Sequence, residues 1–564
     1  MNTQETIDRD SIRETFLLLR KAFDHHSFKG ENISEDTARF LGNITLSEEQ
    51  ESVAKLNSTH LLIKGIAGSG KSITLLTRMM QKMSEDFGKR FLFVSFNQEL
   101  VKDAENRYKN SKYYARLTEQ NHTVHFYTFH ELAYHLLKSI GINVRLFRTS
   151  HSNLNWNDLN VLARMRRLLL LLDTDEFKKL PSIHTIKATN NTKFLYEEFC
   201  WMKGNGFVTL ESYLNCERVG RGKLPNISIR QRETIFRLFR YYVEEQKKDF
   251  YNRMDREDYA LLLLENLHRI LEKYKYDHIF IDEVQDLQPM QLKVLVGINK
   301  GTLTMSGDER QRIYKNTPFS YRALGINIQS SNHNVVLKTN WRSTYQIMKL
   351  ANSLKFTRTA EDSKYDDEKY FPRQGEKPVI QAFASYQKML RSVAEKIREI
   401  YHNNPDYTFA IIHRHYNPQN EQQLKTHFGR YFQFNSYIQR LEGSGPRGNR
   451  GPKIFFMEAK TTKGLEFDVV FILDFCKYFY PHRDEIAELR VKKRISKDSP
   501  LYDADKKELE DKEKRILYVS LTRAKQEVYL YFVAKKDPET VISPFVKDFD
   551  KRDYIAKGFK KTLI

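Results

Sequence analysis

Gly65-Ile66-Ala67-Gly68-Ser69-Gly70-Lys71-Ser72 fits the pattern G-x-x-x-x-G-K-[ST]. It stands between a short apolar run, His60 to Lys64, and a stretch of helical character, Lys71 to Lys82. Strand, glycine-rich turn and helix in that order describe a phosphate-binding loop. The glycines permit close backbone approach, so successive N–H groups and the positive end of the helix dipole face the phosphates. Gly65, Ala67, Gly68, Ser69 and Gly70 form the cradle. Lys71 is expected to reach the β- and γ-phosphates and Ser72 to ligate Mg²⁺. A chance glycine turn would not combine the strand, the lysine and the hydroxyl.

A phosphate loop needs a carboxylate opposite it. The apolar strand ending Ile279-Phe280-Ile281 runs into Asp282 and Glu283, with Gln285 and Asp286 close behind. An acid at such a strand end can hold Mg²⁺ through its water shell, and its neighbour can take a proton from an attacking water. Alone, these acids would be an ordinary solvated strand end. The phosphate loop changes that reading.

Outward from these two stretches, strands and helices alternate. Phe91 to Ser95, Val124 to Tyr127, Thr302 to Met305 and Val335 to Leu337 complete one set of strands. Pro378 to Ala382, Phe409 to His413, Ile454 to Glu458, Val469 to Leu473 and Val528 to Phe532 make a second. The expected fold class is α/β, with two parallel sheets flanked by helices. Between them, residues 141–265 contain only helical signals, including Leu162 to Leu172, Tyr196 to Lys203 and Arg230 to Lys248. These predict an inserted helical subdomain. Ile12, Phe16, Leu19 and Phe23 give residues 1–45 helical spacing as an N-terminal extension. Glu485 to Arg515 mixes both charge signs densely and reads as a solvated helix or loop.

Composition narrows the partners. The 564 residues carry a formal charge of +21, which points to a polyanion, with nucleic acid ahead of a membrane surface. Three cysteines are too few for a disulfide framework, and no apolar run approaches the ~20 residues of a spanning helix. A cytoplasmic protein with no membrane partner is the expectation.

The acidic stretch Asp282-Glu283-Val284-Gln285-Asp286 resembles the D-E-x-Q-D signature of superfamily 1A helicases, the UvrD/PcrA/Rep family. Other family motifs follow in the family's order. Leu46-Ser47-Glu48-Glu49-Gln50 resembles its glutamine motif, Ser95-Phe96-Asn97 motif Ia and Thr128-Phe129-His130 motif Ic. Gly307-Asp308 with Gln311 and Ile313-Tyr314 resembles motif III, and Asn340-Trp341-Arg342-Ser343 motif IV. Thr462-Lys463-Gly464-Leu465-Glu466-Phe467 resembles motif V, and Tyr518-Val519-Ser520-Leu521-Thr522-Arg523-Ala524 motif VI.

The resemblance implies two RecA-like domains clamping one ATP with Mg²⁺. The first comprises 46–140 and 266–338, the inserted subdomain (1B-like) 141–265, and the second 339–564. Gln50 would recognise adenine, Trp341 stack on it and Glu466 hold the ribose. Gln311 would sense the γ-phosphate, while Arg342 and Arg523 act as arginine fingers. Phe96, Asn97, His130, Tyr314 and Thr462 are the implied contacts to single-stranded DNA.

Two departures qualify that picture. Lys315-Asn316-Thr317 follows Ile313-Tyr314 where relatives carry arginine, tryptophan and arginine, unless Phe319 substitutes for the wedge. The large 2B subdomain is missing, leaving at most a short basic loop, 443–451. This compact form is similar to the UvrD-like subunit that Gabija-type antiphage systems pair with a nuclease. The resemblance implies an ATP-dependent single-stranded DNA translocase and 3′→5′ helicase. A translocase without unwinding, and a subunit that gates or powers a partner such as a nuclease, stay open at this point.

Overall fold

The computed structural model describes residues 40–41, 44–146, 153–171, 174–181, 191–308, 319–328, 333–355, 357, 372–415, 418–431, 434, 452–496, 499–534 and 541–560. The N-terminal extension up to residue 39, Gln311, Tyr314 and the loop 443–451 lie outside them.

Two parallel sheets of six strands each organise the chain. The first contains β1 (His60–Gly65), β2 (Arg90–Ser95), β3 (Thr123–Thr128), β4 (Tyr276–Ile281), β5 (Asn299–Gly307) and β6 (Asn334–Leu337). Its order is β3-β2-β4-β5-β1-β6. The second contains β7 (Val379–Phe383), β8 (Thr408–His413), β9 (Lys453–Glu458), β10 (Phe467–Ile472), β11 (Ala524–Val533) and β12 (Ile555–Lys557), ordered β12-β7-β11-β10-β8-β9. β12, three residues on the sheet edge, is the strand that the alternation did not announce.

Apolar residues on both sides of the central strands explain the layering, because successive side chains of a strand point to opposite faces. In β4, Ile279 and Ile281 pack with Leu62 and Met305 on one face, while Phe280 packs with Leu61 and Ile63 on the other. The second sheet divides likewise, Ile412 and Val470 entering one core and Ile411 and Phe471 the other.

Between β3 and β4 stand the inserted helices, among them Asn153–Leu171, Asn191–Asn205, Leu210–Asn215 and Ile229–Lys247. They have their own core around Phe199, Met202, Ile235 and Leu238. Inside it the buried Glu198 carboxylate is shared by Arg218 at 2.8 Å and Arg221 at 2.7 Å. The charge-rich stretch near 485–515 forms two helices, Arg483–Ser496 and Ser499–Leu521. It is not wholly solvated: Glu513 and Arg414, both with fully buried side chains, pair at 2.7 Å. Asp505 of the longer helix reaches the inserted subdomain, accepting from the backbone N–H groups of Lys223 at 2.6 Å and Leu224 at 2.7 Å.

Candidate active site between the two sheets

The strand order of the first sheet builds half of the site. β5 lies between β1 and β4, so the carboxyl ends of all three strands open side by side. They deliver the phosphate loop, the pair Asp308 and Ser306, and the pair Asp282 and Glu283. Ligands of open parallel sheets bind at these carboxyl ends. The second sheet supplies the other half from its amino ends. Glu466 precedes β10 and Arg523 precedes β11, and the register pairs Phe467 with Ala524, so the two charges emerge together.

In the loop, Gly68 and Gly70 take left-handed φ values of 77° and 80°. At Gly68 any side chain would collide with a neighbour, because a Cβ would lie 2.6 Å from Asn340 Nδ2 and 2.7 Å from Arg342 Cβ. The second half therefore seats directly on the phosphate loop. Asn340 Nδ2 donates to Ala67 O, and the Trp341 N–H donates to Gly68 O at 2.9 Å. Trp341 leaves its indole 45% exposed beside the loop, available for stacking. Gln50 is buried against the same loop and donates to Ser69 O at 2.8 Å. Its Oε1 accepts from the Ser47 N–H at 2.9 Å, so Gln50 also closes a helix capping box.

Charges of both signs converge in the cleft. Lys71 Nζ donates to Gly65 O at 2.9 Å and Ile66 O at 3.1 Å. Burial lowers its pKa, opposed by Asp308 and Glu283. Asp282 accepts from the Ser306 and Ser72 hydroxyls, yet burial and then the adjacent Glu283 push it up to about 6. Burial works to raise Glu283 too, but Lys463, Lys71 and Arg523 outweigh it and hold this carboxyl below its ordinary value. Glu283 sits at φ 52° and accepts from Gln285 Nε2, while Gln285 Oε1 takes the Asp308 N–H at 3.2 Å. These residues suit a nucleotide phosphate with Mg²⁺: an ammonium at the loop mouth, and a hydroxyl and a carboxylate already sharing one point.

From the second half, Arg342 Nη2 lies 2.5 Å from Glu466 Oε1. The buried Arg523 is fixed by donation to Val519 O at 3.0 Å and Leu465 O at 3.2 Å. Lys463 pairs with Asp286 at 2.7 Å, an ion pair between the halves with side chains 6% and 2% exposed. The resemblance had named Lys463 only as part of motif V. Its signal was a lysine directly before Gly464, where a Cβ would meet Leu100 of the first domain at 2.5 Å.

The residues expected to touch a nucleic-acid strand are placed differently. Phe96 is half-buried at the end of β2. Asn97 caps the helix Gln98–Lys109, its Oδ1 accepting from the Leu100 N–H at 2.8 Å. His130 is 4% exposed and lies edge-on to Tyr259 at 5.4 Å. Burial and then Arg256 bring its pKa down to about 3, which keeps the ring neutral. Thr462 is fully buried and donates to Ala459 O at 2.8 Å. Asn97, His130 and Thr462 thus hold up the floor of the domains, and of this set Phe96 is the more accessible.

Comparison with known proteins agrees with this architecture. Residues 46–317 match the UvrD/REP helicase N-terminal domain, and residues 432–535 match the UvrD-like helicase C-terminal domain. A probable DNA helicase II homolog of Mycoplasma capricolum is 24% identical over 65% of this chain, which spans 49% of that relative. The ATP-dependent DNA helicase PcrA of Leuconostoc citreum is 23% identical over 55% of the chain and 39% of its own length. This chain therefore spans less than half the length of these two relatives. Two family domains in order, with the phosphate loop, the acid pair and the two arginines meeting in one cleft, place the chain in the UvrD/PcrA-like family of superfamily 1A helicases.

Proposed function

We propose that the protein is an ATP-dependent translocase on single-stranded DNA that unwinds duplexes in the 3′→5′ direction. The observation that carries this reading is the shared cleft. Lys71, Asp282 and Glu283 follow β1 and β4 of the first sheet, while Arg342 lies on the segment leading into the helix Tyr345–Asn352 and Arg523 precedes β11 of the second. Hydrolysis at such a junction is coupled to movement of one domain against the other. The polarity rests on the family resemblance.

Each group has a role suited to its surroundings. Lys71 and the loop N–H groups neutralise phosphate charge. Ser72 and Asp282 would hold Mg²⁺, which would supply positive charge to the phosphoryl oxygens. Glu283, kept ionised by three cations, accepts the proton of the attacking water. Arg342 and Arg523 offer permanently charged forks to the charge that builds on the phosphoryl group. Trp341 and Gln50 frame the base. The surplus of +21 supports salt-sensitive, sequence-independent binding to a phosphate backbone. Among the described residues no helix is long and apolar enough to cross a membrane.

The test is ATP hydrolysis by the purified protein with and without single-stranded DNA, beside strand displacement from 3′-tailed and 5′-tailed duplexes. DNA-stimulated hydrolysis with displacement of the 3′-tailed substrate alone, both abolished in Glu283→Gln, is expected. Displacement from the 5′ tail alone would reverse the polarity. Hydrolysis without displacement would remove unwinding, and no hydrolysis at all would sink the motor.

A further inference from the structure

Glu466 was expected to serve the ribose, but the structure surrounds it with cations. Its Oε1 meets Arg342 Nη2 at 2.5 Å, and its Oε2 lies 3.7 Å from Lys525. Arg107, on the first domain, adds its field from across the cleft. A neutral ribose hydroxyl needs no such company. Arg342 does need a counter-charge, because its own field also bears on Lys71 and Arg523 and works to lower the pKa of both. Glu283 and Asp308 act on Lys71 and Arg523, and Glu466 meets Arg342 directly.

The Arg342 fork is also divided. Nη2 is spent on Glu466, the backbone N–H is held by Asn340 Oδ1 at 3.0 Å, and the backbone carbonyl accepts from Arg373 Nη1. Its buried Nε has no hydrogen-bond partner among the described residues. A planar guanidinium anchored at one nitrogen has fewer directions open to its remaining N–H groups, which favours directed recognition of phosphate.

We infer that Glu466 is a positioning residue for Arg342: it anchors the guanidinium at Nη2, so that the remaining N–H groups meet the phosphoryl group. This rests on the ATPase reading above and refines it. Glu466 itself acts through Arg342 and does not touch the reacting atoms.

The test compares wild type, Glu466→Gln, Arg342→Ala and the double variant, using ATP and 3′-deoxy-ATP, with ATPγS affinity measured by equilibrium dialysis. In Glu466→Gln, kcat is expected to fall about 10- to 100-fold, short of the ~10³–10⁵ of losing an arginine finger. KM and ATPγS affinity should hold, and the preference for ATP over 3′-deoxy-ATP should match wild type. The double variant should be no slower than Arg342→Ala. Unchanged kcat with loss of the ATP preference would return Glu466 to the ribose. Additive losses in the double variant would uncouple it from Arg342. Absence of hydrolysis in wild type would instead overturn the ATPase reading and leave the ATPγS arm to show whether nucleotide binds at all.

Discussion

The two sheets meet the same cleft with opposite ends. The first offers carboxyl ends: the loop after β1, the acids after β4 and Asp308 after β5. The second offers amino ends, with Glu466 ahead of β10 and Arg523 ahead of β11. A carboxyl end followed by a helix aims backbone N–H groups and a helix dipole at an anion, so the first sheet is suited to hold phosphate largely through its main chain. An amino end has no such dipole. The second sheet must reach in with side chains, which is why Arg523 is tied down by carbonyls of Val519 and Leu465. If the proposed roles hold, phosphate affinity rests mainly with the first sheet and turnover with side chains of the second, which can be altered one at a time.

The sharpest way to break this division is Arg523→Ala. Turnover should fall ~10³–10⁵ while ATPγS affinity changes far less. An equal loss in both, read by steady-state kinetics and equilibrium dialysis, would show that the second sheet binds as well as senses. Next in size is Lys463→Ala, which leaves Asp286 buried between the halves without its 2.7 Å partner. Removing one member of a buried pair costs about 3–5 kcal/mol. Denaturant unfolding should show this, or a separate early transition of one domain. A change below about 1 kcal/mol would mean that the halves do not depend on this pair.

A smaller effect is expected at Asp505. Replacing it with Ala removes the acceptor of two backbone N–H groups and should cost about 1–3 kcal/mol. Hydrogen exchange should then quicken at Lys223 and Leu224, with the core of the inserted helices unchanged. Unaltered exchange there would show that the inserted subdomain is seated on the second domain by other contacts.

A last effect, of similar size, concerns pH. The folded pKa of Asp282, about 6, lies above its ordinary 3.8, so the folded protein binds this proton more tightly than the unfolded chain does. Stability of the ligand-free protein should therefore decline as pH rises from about 4 through 6. Mg²⁺ with nucleotide requires the carboxylate, so its binding should release a proton below about pH 6 and weaken up to tenfold per pH unit. Calorimetric titration in two buffers of different ionisation enthalpy reads this directly. Equal proton release at about pH 5.5 and about pH 7.5 would put the titrating group elsewhere.

Particular residues show why the strand contacts were read less well than the nucleotide cleft. Phe96, Asn97, His130 and Thr462 were singled out by motif position, which puts Phe96 and Asn97 just after β2, His130 in the first turn of the helix Phe129–Ser139 and Thr462 at the end of the short helix Ala459–Thr462. Which way each side chain turns depends on what packs behind it. Tyr259, more than a hundred residues away in sequence, closes over His130, and the start of a helix claims Asn97. Burial of a polar side chain with a good partner leaves no periodic trace in the sequence around it. The phosphate loop differs because its chemistry is carried by contiguous residues.

What the chain alone determined is therefore local or repetitive. Eight adjacent residues announce the phosphate loop, apolar runs announce buried parallel strands, and the ordered motifs announce the family. What only the tertiary structure decided lies between residues far apart: Lys463 with Asp286, Asp505 with the turn at Leu224, and Glu466 with Arg342. The reason is physical. Strand and helix patterns follow from neighbours a few residues away, whereas a charge pair between domains is fixed by strand order, register and the seating of one sheet on the other.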